Sequence, residues 1–306
     1  MTKPSTNGER TVTSGRGRTS QAVISFEYFP PKDVTGERAL LTCAHALRRF
    51  APAFQTVTFG ADGGEREATL HWTVALEELT GTPTASHLTT CAFDRDGLLE
   101  RADTLWDEGI RRLVLLRGDA VTDGVGLAGF ASLAEAVAAL RRRHAFDISV
   151  AAYPEKHPRA ESLDADFDVL LAKVDAGAAR AITQFFFDDA TFLRLRDRLS
   201  RARPSAVLVP GIIPVGNFKR IVGFAERCNT AVPDAMREAF EAVEGDREAT
   251  SQVARDLVTE QARNLAGEGV RHLHVYTLNR IDLAADAARA FQTSVPDDAV
   301  RLGAVA

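Results

Sequence analysis

Beyond residue 20 the chain keeps one rhythm: short, apolar, β-branched runs alternate with longer segments in which apolar residues recur at helical spacing. The short runs predict strands over 22–27, 55–60, 84–90, 110–117, 147–153, 180–187, 206–212 and 270–277. Between them, Leu133, Val137 and Leu140 share one helix face, as do Phe192, Leu195 and Leu199, and Phe218, Ile221, Val222 and Ala225. Three helix-to-strand junctions carry a glycine, Gly109, Gly177 and Gly269, the residue that accepts the left-handed backbone with which helices end. Eight strands alternating with helices predict an α/β chain folded as a (β/α)8 TIM barrel over 21–306, with a doubly wound sheet as the competitor. The stretch 229–269 predicts two helices, 234–243 and 247–267, so an extra helix precedes the last strand.

In such a barrel the active site forms at the C-terminal ends of the strands. All but one of the predicted ends are polar: Glu27, Thr58, His87, the Arg117-Gly118-Asp119 run, Tyr153 with His157, Gln184 within its strand, and the run from Tyr276 to Arg280. Singly, each has a structural explanation, such as a core amide for Gln184, a turn or cap for Asp119, or an ion pair with Lys32 for Glu27. Convergence on one mouth is what points to function. Glu27 stands in Ile24-Ser-Phe-Glu-Tyr-Phe-Pro-Pro31, a carboxylate among aromatic rings that is followed by two prolines. Desolvation among rings is expected to raise its pKa and fit it for general acid catalysis, while the prolines end the strand.

Composition narrows the field. With 306 residues, 45% hydrophobic and 26% charged, the chain has material for a large core. A net charge of -5 without a basic stripe argues against nucleic acid as a partner. Cys43, Cys91 and Cys228 lie far apart and form no metal spacing with the histidines, so reduced thiols in a cytoplasmic protein and no metal are expected. No apolar run has the length of a membrane span. Residues 1–20, rich in Ser, Thr, Gly and Arg, read as a disordered tail. Gly124, Gly126 and Gly129 match GxGxxG, but the strand ends too early for a dinucleotide fingerprint, and a loop over the barrel mouth is expected.

Several blocks occur together and in order: SFEYFPPK, VTFGADGGER, SHLTT, LRGD, ISVAAYPEKHP, KVDAGAARAITQFFFD, VPGIIPVGNFK and HVYTLNR. Across about 22–292 the sequence resembles the bacterial methylenetetrahydrofolate reductases, flavoproteins of the (β/α)8 class. The resemblance implies that NADH or NADPH reduces FAD. It further implies that the reduced flavin passes the hydride to methylenetetrahydrofolate in a ping-pong cycle, making methyltetrahydrofolate for methionine synthesis. Glu27 matches the acid that protonates the leaving nitrogen. Asp119 matches an aspartate beside flavin and pterin, where its charge stabilises the iminium and modulates the flavin. For FAD, the matched positions are Phe59 and Ala61 after strand two, His87 on strand three, and Arg117, Gly118 and Asp119 after strand four. Ala131 follows in the next connection, and Tyr153, His157, Ala160, Asp166 and Lys173 lie after strand five. Arg117 and Lys173 suit the diphosphate.

For the substrates, Thr58 matches a nicotinamide contact and Gln184 a contact to both folate and nicotinamide. Phe224 matches a stacking ring, and Arg280 and Arg220 match folate contacts. Departures are Phe59 in place of tyrosine, Arg220 in place of glutamine, and Val169 and Ala172 in place of polar or basic residues, which predicts a weaker hold on FAD. Self-association into a homo-oligomer is expected. The alternatives are a non-catalytic flavin- or folate-binding barrel, and the same reaction run oxidatively in one-carbon catabolism. An aldolase or phosphate-binding isomerase would need a Schiff-base lysine inside a strand or a glycine-rich phosphate loop after strand seven, and neither is present.

Overall fold

The computed structural model describes residues 22–59, 66–118 and 127–296. The segment predicted to be a disordered tail, Ala61, Asp119 and most of the loop expected over the mouth lie outside these residues. Strands and helices alternate from the start: β1 (Val23–Tyr28), α1 (Val34–Leu47), β2 (Phe54–Val57), α2 (Arg66–Thr80), β3 (Thr84–Thr89), α3 (Arg95–Asp107) and β4 (Arg112–Leu116). They continue with α4 (Leu133–Arg143), β5 (Asp147–Ala152), α5 (Leu163–Asp175), β6 (Arg180–Thr183) and α6 (Asp189–Ala202). Then come β7 (Leu208–Val209), β8 (Gly211–Ile212), α7 (Phe218–Cys228), α8 (Asp234–Glu241), α9 (Arg247–Gly267), β9 (His272–Tyr276) and α10 (Ile281–Ser294).

All the strand pairs are parallel, and the order is β7-β6-β5-β4-β3-β2-β1-β9-β8. The run expected as one strand over 206–212 is therefore two short ones. Proline has no N–H to give to a ladder, so Pro210 interrupts the run. Leu208 and Val209 pair with β6, Gly211 and Ile212 pair with β9, and the ring closes across the break. The Pro210 carbonyl accepts from His274 N at 2.9 Å, and Gly211 N donates to Thr183 Oγ1 at 2.9 Å, which ties the seam on both sides. The strand expected over 180–187 stops at Thr183, so Gln184 lies just past its end rather than inside it.

Side chains alternate across each strand. On β1, Ile24, Phe26 and Tyr28 pack outward into a cluster with Leu40, Leu47, Ala284 and Phe291 of α1 and α10. A second outer cluster joins β3, β4 and β5 to α3, α4 and α5 through Leu88, Leu98, Leu113, Val137, Ile148 and Phe167. Inside, Phe54, Ala85, Val114, Ile182 and Val209 fill the lower barrel. The expected extra helix is present: α7 and α8 pack through Ile221, Ala225, Met236 and Phe240 beside Phe185 and Ile213. Gly109, Gly177 and Gly269 all take positive φ, as their junctions require. Asp33, Asp94, Ser132, Ser162 and Asn217 cap helix N-termini with their side chains, which fixes where the chain leaves the barrel mouth.

Candidate active site

The inward face of β1 carries Ser25 and Glu27, and the inward face of β9 carries His272, His274 and Tyr276. Register places Ser25 beside His274 and Glu27 beside Tyr276. Glu27 keeps only 12% of its side-chain surface exposed. Its Oε2 accepts from Thr56 Oγ1 at 3.3 Å, lies 3.2 Å from His87 Nε2 and lies 3.5 Å from His274 Nε2. Despite that distance, His87 Nε2 has no hydrogen-bond partner among the described residues. Burial, the largest single influence, pushes the Glu27 carboxyl up. The charge of His87 and the close approaches of His274 and His87 outweigh it and bring the carboxyl down to about 2.

This corrects the expectation of a raised pKa. Phe26 and Tyr28 turn to the opposite face of β1, so imidazoles rather than hydrocarbon surround the carboxylate. Tyr276 is no rival acid: it donates to the Thr183 carbonyl at 2.6 Å, and burial holds its phenol well above the usual value.

Around the mouth, Thr58 follows β2 with its hydroxyl buried and without a hydrogen-bond partner among the described residues. Phe59 packs edge-on against Phe93, the ring centroids 6.4 Å apart. Ala131 donates its N–H to Glu135. Gly118 follows β4 at φ +84, and a Cβ there would lie 2.0 Å from Thr89 Cγ2 and 2.4 Å from Cys91 Sγ. Gly118→Ala therefore combines an unfavourable backbone with a steric overlap, each costing about 1–3 kcal/mol. A thermal melt should show a midpoint lower by about 5 °C or more; an unchanged midpoint would mean that the backbone after β4 rearranges freely.

After β5 a cationic corner forms. Tyr153 meets His157 edge-on with centroids 4.6 Å apart, His157 N donates to Asp166 Oδ2 at 2.9 Å, and Ala160 N donates to the His157 carbonyl. Lys173 is 4% exposed, donates to the Ala151 carbonyl, and is brought by burial down to about 8 against the pull of Asp166. His157 is held below its usual value by burial, with Asp166 opposing and Arg117, Lys173 and Arg159 adding to the effect. Three cations close enough to bear on one imidazole favour an anionic ligand. A cavity of about 230 Å³ opens beside this corner between α5 and α6, with Tyr153, Asp166, Phe167 and Lys173 in its wall. Val169 and Ala172 are exposed on α5, so Lys173 is the only basic residue that helix offers.

The last group lies near the ends of β8 and β9. Gln184 is half-buried and its Oε1 accepts from Phe185 N. Phe224 lies between two guanidiniums, with Arg220 at 5.3 Å and Arg227 at 4.8 Å from its ring centre. Arg280 packs on Gly216, where a Cβ would come within 2.6 Å of its Nη1. The structure thus brings Glu27, His87 and Thr58 together at one mouth and gathers Tyr153, His157, Asp166 and Lys173 into one corner of it.

A closed parallel barrel with a buried carboxylate, two imidazoles and a cationic corner at the C-terminal ends of its strands is the architecture of a barrel enzyme. Comparison with known proteins gives the family: the model of methylenetetrahydrofolate reductase matches residues 14–290, and the chain belongs to that family. The 5,10-methylenetetrahydrofolate reductase of Pectobacterium carotovorum is 42% identical over 261 residues, 85% of this chain and 87% of that protein. That of Salmonella typhimurium is 42% identical over 264 residues, 86% and 88% of the two chains. Among solved structures, an uncharacterized Clostridium thermocellum protein that binds 5-methyl-5,6,7,8-tetrahydrofolic acid superposes with a TM-score of 0.57 at 12% identity, covering 90% of this chain and 96% of that one; it supports the fold. Among the described residues no helix is long and apolar enough to cross a membrane.

Sequence reasoning missed His274, Thr56 and Ser25. A signal was present: His272, His274 and Tyr276 alternate with Leu273 and Val275, a polar stripe that period-2 geometry puts on one face.

Proposed function

We propose that the chain reduces 5,10-methylenetetrahydrofolate to 5-methyltetrahydrofolate, using FAD and NADH or NADPH in a ping-pong cycle, with Glu27 as the acid. The observation that carries this reading is the Glu27 carboxylate set at the mouth among His87, His274 and Thr56.

The residues present fit FAD. The Gly118 backbone sits where a Cβ has no room, the Thr58 hydroxyl and His87 Nε2 are buried without hydrogen-bond partners among the described residues, and the cations around His157 suit a diphosphate. Lys173 and Arg117 would hold the diphosphate, Asp166 and His157 the neighbouring ribose, and Gly118 with His87 the ring system. When bound, FAD supplies the hydride carrier between nicotinamide and folate.

The chain's own residues do the rest. Thr58 and Gln184 offer hydrogen bonds to the nicotinamide amide or the pterin, and Phe224 offers an aromatic face to either. Arg220 and Arg280 would pair with the folate carboxylates. Asp119 is assigned to stabilising positive charge on the opened substrate. Glu27 protonates the leaving nitrogen so that the methylene bridge opens to an iminium able to accept hydride. With its carboxyl at about 2 in the ligand-free protein, Glu27 must receive a proton before it can give one, and His274 is in position to pass it.

The test is an anaerobic visible spectrum of the purified protein before and after addition of NADH or NADPH, then methylenetetrahydrofolate. A flavin spectrum bleached by one donor and restored by the folate is the expected result. A protein that takes up no FAD, or whose reduced form ignores the folate, would overturn the reading.

A further inference from the structure

Glu27 is the last of a line of polar groups that runs down the inside of the barrel. Ser25 Oγ lies 2.8 Å from His274 Nδ1 and 3.0 Å from His272 Nε2, and His274 Nε2 lies 3.5 Å from Glu27 Oε2. Ser25 and His274 are both 0% exposed, whereas His272, at the start of β9, is only partly buried at the opposite end of the barrel from the mouth. These contacts link the carboxylate to that end without passing through the mouth. Bound substrates would cover the mouth and separate Glu27 from bulk water there.

We propose that His272, Ser25 and His274 form a proton relay that charges Glu27 from the end of the barrel opposite the active-site mouth. This rests on the reading of Glu27 as the acid.

The hydrogen positions along the line follow from chemistry. An ionised carboxylate only accepts, so His274 Nε2 carries hydrogen. With His274 neutral, its Nδ1 accepts from the Ser25 hydroxyl, and the Ser25 oxygen accepts from His272 Nε2. Every hydrogen bond then points toward Glu27.

A proton bound at His272 Nδ1 is matched by three shifts: the Nε2 proton of His272 to Ser25, the Ser25 proton to His274 Nδ1, and the His274 Nε2 proton to Glu27. One proton enters, one reaches the carboxylate, and no electrons move. The groups bearing on His272 are the His274 ring on its own strand and the Arg180 guanidinium on β6, with Arg180 held by Asp147 of β5. Burial, then His274 and Arg180, bring His272 down to about 3, so near neutral pH it rests uncharged. At the other end Glu27 meets His87 of β3, Thr56 of β2 and His274.

The experiment compares the wild-type holoenzyme with Ser25→Ala, which breaks the middle link, and His272→Phe, which keeps a ring against Phe54 and removes both nitrogens. In stopped flow, reoxidation of the reduced enzyme by methylenetetrahydrofolate should slow about tenfold in both variants and slow further in D2O. Flavin reduction by the nicotinamide should not change. In the ligand-free proteins, ¹⁵N spectra of the histidines should show His274 with hydrogen on Nε2 in the wild type and a mixed tautomer in Ser25→Ala. Wild-type folate rates and isotope effects in folded variants would overturn the relay while leaving Glu27 as the acid. Should Ser25→Ala fail to fold, His272→Phe decides alone. A wild-type enzyme with no folate step would remove the underlying reading and the relay with it.

Discussion

Glu27→Gln is expected to abolish the folate half of the reaction while leaving the nicotinamide half intact. Glutamine keeps the shape of the side chain and can still accept from Thr56, so the mouth keeps its geometry. It cannot bind and release a proton in the range a general acid needs. General acid catalysis is worth about 10²–10⁴-fold, and folate-driven reoxidation of the flavin should slow by about that factor. Hydride transfer from a nicotinamide needs no acid, so flavin reduction should stay within about threefold of wild type. Stopped-flow absorbance separates the two steps. A variant that retains full folate turnover would show that Glu27 is not the acid, and attention would pass to the imidazoles of His87 and His274. The split also separates catalysis from binding: a merely disordered mouth would slow both steps.

The second large effect concerns Lys173 and pH. Its ammonium is buried, and its pKa falls from about 10.5 to about 8. Between those two values the unfolded chain holds a proton that the folded chain has lost, so the apoprotein should gain stability as pH rises through this window. An anionic ligand reverses the preference, because the diphosphate favours the charged ammonium. FAD affinity should accordingly fall as pH rises above about 8, approaching about tenfold per unit.

Lys173→Met removes the charge at similar length. It should weaken FAD binding by about 10–100-fold at pH 7, the worth of one charge-assisted hydrogen bond, and flatten the dependence on pH. The same change relieves an expensive buried charge, so the apoprotein should melt no lower than wild type. Fluorescence titration of apoprotein with FAD at pH 7 and pH 9 measures both effects. Equal affinity in the variant would remove Lys173 from the diphosphate site. The loss should be large in this chain because α5 offers no second basic residue, with exposed Val169 one turn before Lys173 and exposed Ala172 immediately before it.

Much of this was written in the order of residues. Alternating periods of apolar positions specified strand and helix, because a two-residue repeat suits only a pleated ribbon and a repeat near 3.6 only a helix. Glycines at 109, 177 and 269 marked the helix ends, since only a left-handed backbone completes those turns. The ordered blocks from SFEYFPPK to HVYTLNR carried the family, and the strand-end polar residues carried most of the mouth. The extra helix before the last strand was legible for the same reason as the others: α8 and α9 each present an apolar face.

Three things were decided only by the tertiary structure. The seam at Pro210 divides one expected strand between two neighbours, a consequence of closing the ring that local pattern does not contain. The state of Glu27 came out opposite to expectation. Its neighbours in sequence are aromatic, but its neighbours in space are His87 of β3 and His274 of β9, brought there by register. The burial of Lys173, a residue type that ordinarily stays in water, depends on where α5 lies against β5. Local order sets backbone periodicity because that is a property of a few consecutive residues. Ionisation is set by whatever charges and hydrogen bonds lie within a few ångströms, and in this barrel those come from strands tens to hundreds of residues apart.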